Sequence, residues 1–107
     1  MEENSESIKK EGFLIKEGIN FKTWKRRWIT LDRSGVITYF NNETKKKELG
    51  KFLLLRNSTI EVNHSKQKKF CFSIQSSDRE YYFCASTNEE MEEWIIACQQ
   101  MKVKKKN

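Results

Sequence analysis

The sequence predicts a mainly β domain closed by one α-helix: seven short antiparallel strands in a sandwich or partly open barrel, capped by a C-terminal amphipathic helix. Three observations predict it. Short runs of β-branched and aromatic residues, split by polar breaks, recur from Gly12 to Ala85. The chain contains no proline, so each run is free to donate to a neighbour. After Ser86 the apolar period lengthens from strand-like to helical spacing. At 107 residues there is room for one domain, and an aromatic content of 12% supplies its core.

The elements follow in order. Gly12–Glu17 is the first run and the aromatic-rich Thr23–Leu31 the second, closed by the turn composition of Asp32–Gly35. Val36–Phe40 is the third. The lysine-rich Asn41–Glu48 reads as a loop, followed by Lys51–Leu55 and Thr59–Val62 as the fourth and fifth strands. After the polar loop Asn63–Lys68 come Phe70–Gln75 and Glu80–Ala85, split by Ser76-Ser77-Asp78. Thr87 stands three residues before Glu90, the spacing of a capping box. Met91, Trp94, Cys98 and Met101 then form one stripe with Ile95 beside it, which predicts a helix from Asn88 to about Lys102 with Trp94 as the plug. Glutamates crowd its start, and Lys102 with Lys104–Lys106 its end, as the helix dipole favours. The domain is expected over 9–103, between a flexible segment 1–8 and a basic tail 104–107.

Composition excludes several classes. No run approaches the ~18 apolar residues of a membrane span, and no secretory signal pattern opens the chain. The three cysteines, Cys71, Cys84 and Cys98, are widely spaced and lie in apolar runs, which reads as buried, reduced thiols in a cytoplasmic protein. His64 is the one histidine and stands alone in a polar loop, so neither a metal site nor a catalytic pairing is expected. The four glycines are scattered and form no phosphate loop. No cofactor and no enzymatic activity are expected.

The net charge of +6, from 21 basic against 15 acidic residues, asks for an anionic partner or merely confers solubility. Placement of the charges is more informative. In strands, side chains alternate between faces. Leu14 shares a parity with Lys16, and Ile29 and Leu31 share one with Lys25 and Arg27. If the apolar members face inward, Lys16, Lys25 and Arg27 converge at an open rim without being buried, since unpaired buried charge is costly. Three converged cations describe a polyphosphate pocket; a solvated basic face is the alternative. Gly18 permits close backbone approach, and the Tyr39 hydroxyl is within reach of a bound phosphate. Trp24, Arg26 and Trp28 fall on the opposite, outer face. Most aromatics occupy packing positions, which argues against nucleic acid as the partner.

EGFLIK at 11–16 followed by KTWKRRWITL at 22–31 resembles the opening hairpin of a pleckstrin homology (PH) domain, and EEMEEWIIACQQM at 89–101 resembles that family's closing helix. The resemblance implies two near-orthogonal antiparallel sheets capped by the helix, in which the family's helix tryptophan is matched by Trp94. It further implies a phosphoinositide-binding module. A subset recognises 3-phosphorylated headgroups through a lysine ending the first strand, a basic-x-Arg pattern in the second and a tyrosine in the third; here Lys16, Lys25, Arg27 and Tyr39 match. The subset's basic residue before the fourth strand is missing: Leu49 falls nearest, flanked by Lys47 and Lys51, and Lys47 is the expected substitute. Glu17 brings a negative charge into the binding loop.

The expected partners are phosphatidylinositol 3,4,5-trisphosphate or 3,4-bisphosphate in the inner leaflet of the plasma membrane, and soluble inositol polyphosphates. Recruitment from the cytoplasm would serve a larger signalling protein, whose other parts hold any protein partners. A protein-interaction domain of the same fold with weak lipid binding is the alternative. Ile19 and Phe21 either fold back into the core or dip into the bilayer beside Lys22. Lys45 and Lys46 would add attraction to an anionic leaflet, worth about 1 kcal/mol per lysine near the surface.

Overall fold

The computed structural model describes residues 7–18, 23–64 and 66–103. Its strands are β1 (Ile8–Glu17), β2 (Trp24–Asp32), β3 (Val36–Phe40), β4 (Glu48–Leu53), β5 (Thr59–Val62), β6 (Cys71–Ser76) and β7 (Arg79–Cys84), followed by α1 (Asn88–Met101). They form one antiparallel sheet in the order β4-β3-β2-β1-β7-β6-β5, so every neighbouring pair except β1–β7 is sequential. The sheet folds over on itself. Phe52 of β4 stacks on Tyr81 of β7, ring centroids 3.8 Å apart. The seam is tied by Ser58 Oγ, which donates to Ser76 Oγ, and by Ser76 Oγ, which donates to the Leu53 carbonyl at 2.6 Å.

Between the two halves lies the core: Leu14, Ile29, Leu31 and Ile37 from one side, Ile60, Phe72, Ile74, Tyr81 and Phe83 from the other, with Leu54 between strands. The helix closes one end with Met91, Trp94, Ala97 and Cys98. Trp94, 2% exposed, fills that opening as expected. Its helix starts where the capping box predicts: Thr87 Oγ1 accepts from the Glu90 amide at 3.0 Å, and Glu90 Oε1 accepts from the Ser86 amide at 2.9 Å.

Several boundaries differ from the sequence reading, each for a local reason. β1 begins at Ile8 rather than Gly12. The polar Lys10 belongs to the strand because it pairs with Leu31 and its amine lies 5.3 Å from the centre of the Trp94 ring. β4 runs over Glu48–Leu53 rather than 51–55, since Leu54 turns into the core, its amide donating to the Gly35 carbonyl. The helix ends at Met101. Lys102 leaves in an extended conformation and the Val103 amide donates to the Leu54 carbonyl, so the last turn carries no basic residue. The cysteines require the largest correction. Cys71 and Cys84 are not separate buried thiols but a disulfide; the β6–β7 register sets them directly opposite, with Cα atoms 3.9 Å apart. Cys98 alone is free, and burial pushes its thiol up to about 12.

The β2–β3 turn shows why one glycine is required. Asp32 Oδ1 accepts from the Ser34 and Val36 amides. The chain then reverses through Gly35 at φ +92°, where an added Cβ would stand 2.6 Å from the Met101 carbonyl oxygen. Gly35→Ala therefore combines a left-handed backbone with a backbone collision, and we expect a loss of at least about 1–3 kcal/mol in denaturant unfolding. Gly12→Ala meets nothing nearer than the Trp94 ring at 4.0 Å and is expected to leave stability unchanged or slightly raised.

Candidate functional site

The β1–β2 register decides where the cations go. Lys16 pairs with Lys25, Leu14 with Arg27 and Gly12 with Ile29. Directly opposed residues share a face of the sheet. Because Leu14 and Ile29 are buried, that face is the interior, and the cations extend its apolar rows toward the end away from the helix. Ile29 pairs onward with Tyr39, and Tyr39 with Gly50. A Cβ at Gly50 would fall 2.3 Å from the Tyr39 hydroxyl oxygen, so the bare position lets the ring lie across it and a larger residue would displace Tyr39.

Lys16 departs from expectation in being buried, at 6% exposure. Its amine lies 4.2 Å from the centre of the Tyr39 ring and 5.9 Å from that of Tyr81, and donates to the Glu17 carbonyl at 3.3 Å. The ring faces and the carbonyl offset part of the lost hydration. The offset is incomplete. Burial first, then the charges of Arg27 and Arg79, hold the Lys16 amine below its ordinary value, against a smaller opposing pull from Glu17. Burial raises the Tyr39 hydroxyl, and Tyr81 adds to the rise while Arg79 opposes it.

Arg79, at the start of β7, is thus part of the same electrostatic neighbourhood, as is Tyr81. Neither was singled out in the sequence. The signal was present in the strand alternation, since Arg79, Tyr81 and the Lys16-paired Phe83 share a parity.

The remaining candidates are distributed as follows. Lys25 is exposed beside Lys16 on the inner face. Arg27 is half-buried, and its Nη1 donates to Asn41 Oδ1 at 3.4 Å. The Asn41 amide donates to the Lys47 carbonyl, which places the exposed Lys47 beside this group. Gly18 closes the hairpin: its amide donates to the Thr23 carbonyl at 2.7 Å and is not free for a ligand. Lys46 is exposed in the β3–β4 loop. Lys45 turns to the outer face and pairs with Glu11 at 3.0 Å. Burial pushes the Glu11 carboxyl up, but hydrogen bonds from Lys45 and Trp28 outweigh it and hold it below the usual range. Ile19, Phe21 and Lys22 lie outside the described residues. Glu17 takes the face opposite Lys16 and pairs with Lys66 at 3.2 Å, so its carboxylate is turned from the cationic group.

Residues 8–102 match the PH domain family, and the chain belongs to it. Among its relatives, a RAC family serine/threonine-protein kinase homolog from Dictyostelium discoideum is 38% identical over 82% of this chain and 20% of its own length. The mouse dual adapter for phosphotyrosine and 3-phosphotyrosine and 3-phosphoinositide is 36% identical over 80% of this chain and 30% of its own length. The chain therefore spans less than a third of these curated relatives. The C-terminal PH domain of pleckstrin, solved in complex with D-myo-inositol 1,2,3,4,5-pentakisphosphate, superposes with a TM-score of 0.77 at 28% identity, covering 89% of this chain and 98% of that one. PH domains are non-catalytic binding modules known for phosphoinositide binding. No helix among the described residues is long and apolar enough to cross a membrane.

A buried lysine held below its ordinary value has a consequence for stability. The unfolded chain binds that proton more tightly, so the cost is fully present at neutral pH and is relieved as pH rises through the lowered folded value toward 10.5. Lys16→Met is therefore expected to melt higher than the wild type at neutral pH, the gap narrowing in alkali. Inositol hexakisphosphate should raise the melting temperature of the wild type and not of the variant. A variant that melts lower at neutral pH would contradict this account of the site.

Proposed function

We propose that this domain binds the headgroups of 3-phosphorylated phosphoinositides, phosphatidylinositol 3,4,5-trisphosphate or 3,4-bisphosphate, and thereby recruits a larger signalling protein from the cytoplasm to the inner leaflet of the plasma membrane. The observation that supports the reading is that the Lys16 amine packs on the Tyr39 ring within the electrostatic reach of Arg27 and Arg79, while Lys25 is paired opposite Lys16. Like charges gathered on one face repel one another and are stabilised by a bound polyanion. The two guanidinium groups match pairs of phosphate oxygens, whereas the lysines act as point charges. Lys47 widens the cationic rim from the β3–β4 loop. The 3-phosphoinositide in the adapter relative's name agrees with the headgroup, as does the inositol polyphosphate bound by the pleckstrin domain, and the kinase relative's name agrees with service in a signalling protein.

Binding then proceeds in two stages. The net charge of +6 steers the domain to an anionic leaflet, and the rim grips one headgroup. Ile19 and Phe21, with Lys22, are the proposed bilayer contact, and Lys46 contributes charge; Lys45 contributes less, because it is paired with Glu11.

Calorimetry with soluble inositol phosphates differing at the 3-, 4- and 5-positions tests the selectivity. Arg27→Ala and Arg79→Ala are each expected to weaken inositol 1,3,4,5-tetrakisphosphate binding by at least about tenfold, the scale of one lost charge-assisted contact. Equal affinity for headgroups with and without a 3-phosphate would refute the selectivity. Absence of any binding would leave protein interaction as the use of the fold. In a separate arm, Ile19→Ser with Phe21→Ser should weaken binding to vesicles containing 3-phosphoinositide while sparing the soluble headgroup. A loss of melting temperature with vesicle binding unchanged would instead assign both residues to the core.

A further inference from the structure

The Cys71–Cys84 bridge plays no part in the headgroup site, yet two separate clefts reach it, one lined by each cysteine. One cavity of about 350 Å³ lies between the β5–β6 loop and the start of α1, where His64, Lys68 and Lys69 surround Cys71. The other, of about 300 Å³, lies against the outer face of β1 and β2 and is lined by Cys84 but not Cys71. We propose that the first cleft is a thiol-exchange site, which admits a small anionic thiol of the glutathione class to open and re-form the bridge.

The chemistry follows from the placement. The carboxylates of such a thiol meet the Lys69 ammonium and that of Lys68 once it swings from its place 5.6 Å from the centre of the Trp24 ring, and its thiolate attacks Cys71 Sγ. The first cleft is lined by Cys71 and not by Cys84, so attack there falls on Cys71 and the Cys84 sulfur departs as a thiolate while the bond between Cys71 and the incoming sulfur forms. A second thiolate attacks that mixed disulfide, releasing the Cys71 thiolate and the oxidised small-molecule disulfide. Two electrons pass from two thiols to the bridge, and the protons they shed end on Cys71 and Cys84. The reverse sequence, with the small disulfide as oxidant, restores the bridge. Cys71 is only 1% exposed, so the cleft has to open for attack. The neighbouring Phe70 holds φ at +61°, a conformation bulky residues adopt only under constraint, which marks the place of opening. Opening would remove the covalent tie between β6 and β7 one residue from the Phe83–Lys16 pair.

Charge selectivity separates an exchange site from a merely reducible bond. The oxidised chain is treated with glutathione or with uncharged 2-mercaptoethanol at matched thiolate concentration, and the new thiols are counted by alkylation and mass spectrometry. We expect glutathione to react at least about fivefold faster, the gain of one charge pair near a protein surface. A transient adduct should appear on Cys71. Lys68→Gln with Lys69→Gln should abolish the preference while leaving the 2-mercaptoethanol rate unchanged. Should that variant not fold, high salt on the wild type must abolish the preference instead. Equal rates for the two thiols, a preference that survives both the lysine changes and salt, an adduct on Cys84, or a chain that keeps both thiols after exposure to glutathione disulfide would each overturn the proposal.

Discussion

The site depends on the parity shared by β1 and β2. Lys16 opposite Lys25 and Arg27 opposite Leu14 are held on the face that, at the next inner pair of the ladder toward the helix, carries Gly12 and Ile29. The rows that are apolar in the core become cationic at its rim, and a register shifted by one residue does not do this. A slip of one residue would move Leu14 and Ile29 to solvent and the cations into the outer aromatic layer. Core burial and charge convergence are therefore one constraint, and the apolar filling enforces the register that gathers the charges.

That constraint leaves Lys16 inside, and the inner face is built to tolerate it. Tyr39 and Tyr81 offer ring faces to the amine, and the Glu17 carbonyl accepts from it. Gly50 gives Tyr39 the space to lie where it does. The residual cost is visible in the lowered Lys16 value, which the charges of Arg27 and Arg79 deepen. A folded state carrying an unneutralised cation is less stable than it need be, and stability withheld in this way commonly marks a binding site.

What was legible in the sequence was local. The β3 and β5 strands, the capping box and the tryptophan stripe each depend on neighbours within a few residues, and their positions agree with the structure. The inner row of cations was legible for the same reason, since parity is a local property. What was missed needed the chain to return. Arg79 and Tyr81 join the site only because β7 docks on β1 through the pairs Ile15–Cys84 and Lys16–Phe83, between residues nearly seventy positions apart. The disulfide likewise depends on the β6–β7 register, which a spacing of 13 residues does not disclose. Lys45 looked like a free leaflet contact because nothing in the loop reveals that Glu11 waits on the first strand.

The outer face of the hairpin explains how the inner face keeps its shape. There the guanidinium carbon of Arg26 lies 3.6 Å from the centre of the Phe13 ring, Phe13 meets Trp28 edge-on at 4.9 Å, and the Trp28 indole donates to Glu11. Lys66 binds Glu17 and lies 4.1 Å from the centre of the Tyr82 ring, while the Lys68 amine lies 5.6 Å from that of Trp24. Each contact is worth little alone at a solvated surface. Together they brace both strands of the hairpin from behind, using residues of the parity that the cations do not use. They also draw the Glu17 carboxylate away from the cationic rim. A hairpin fixed in this way presents its charges in a set geometry before any anion arrives, so less ordering remains to be done on binding. The aromatic outer layer, which faces neither the core nor the cationic rim, is thus a working part of the proposed binding site.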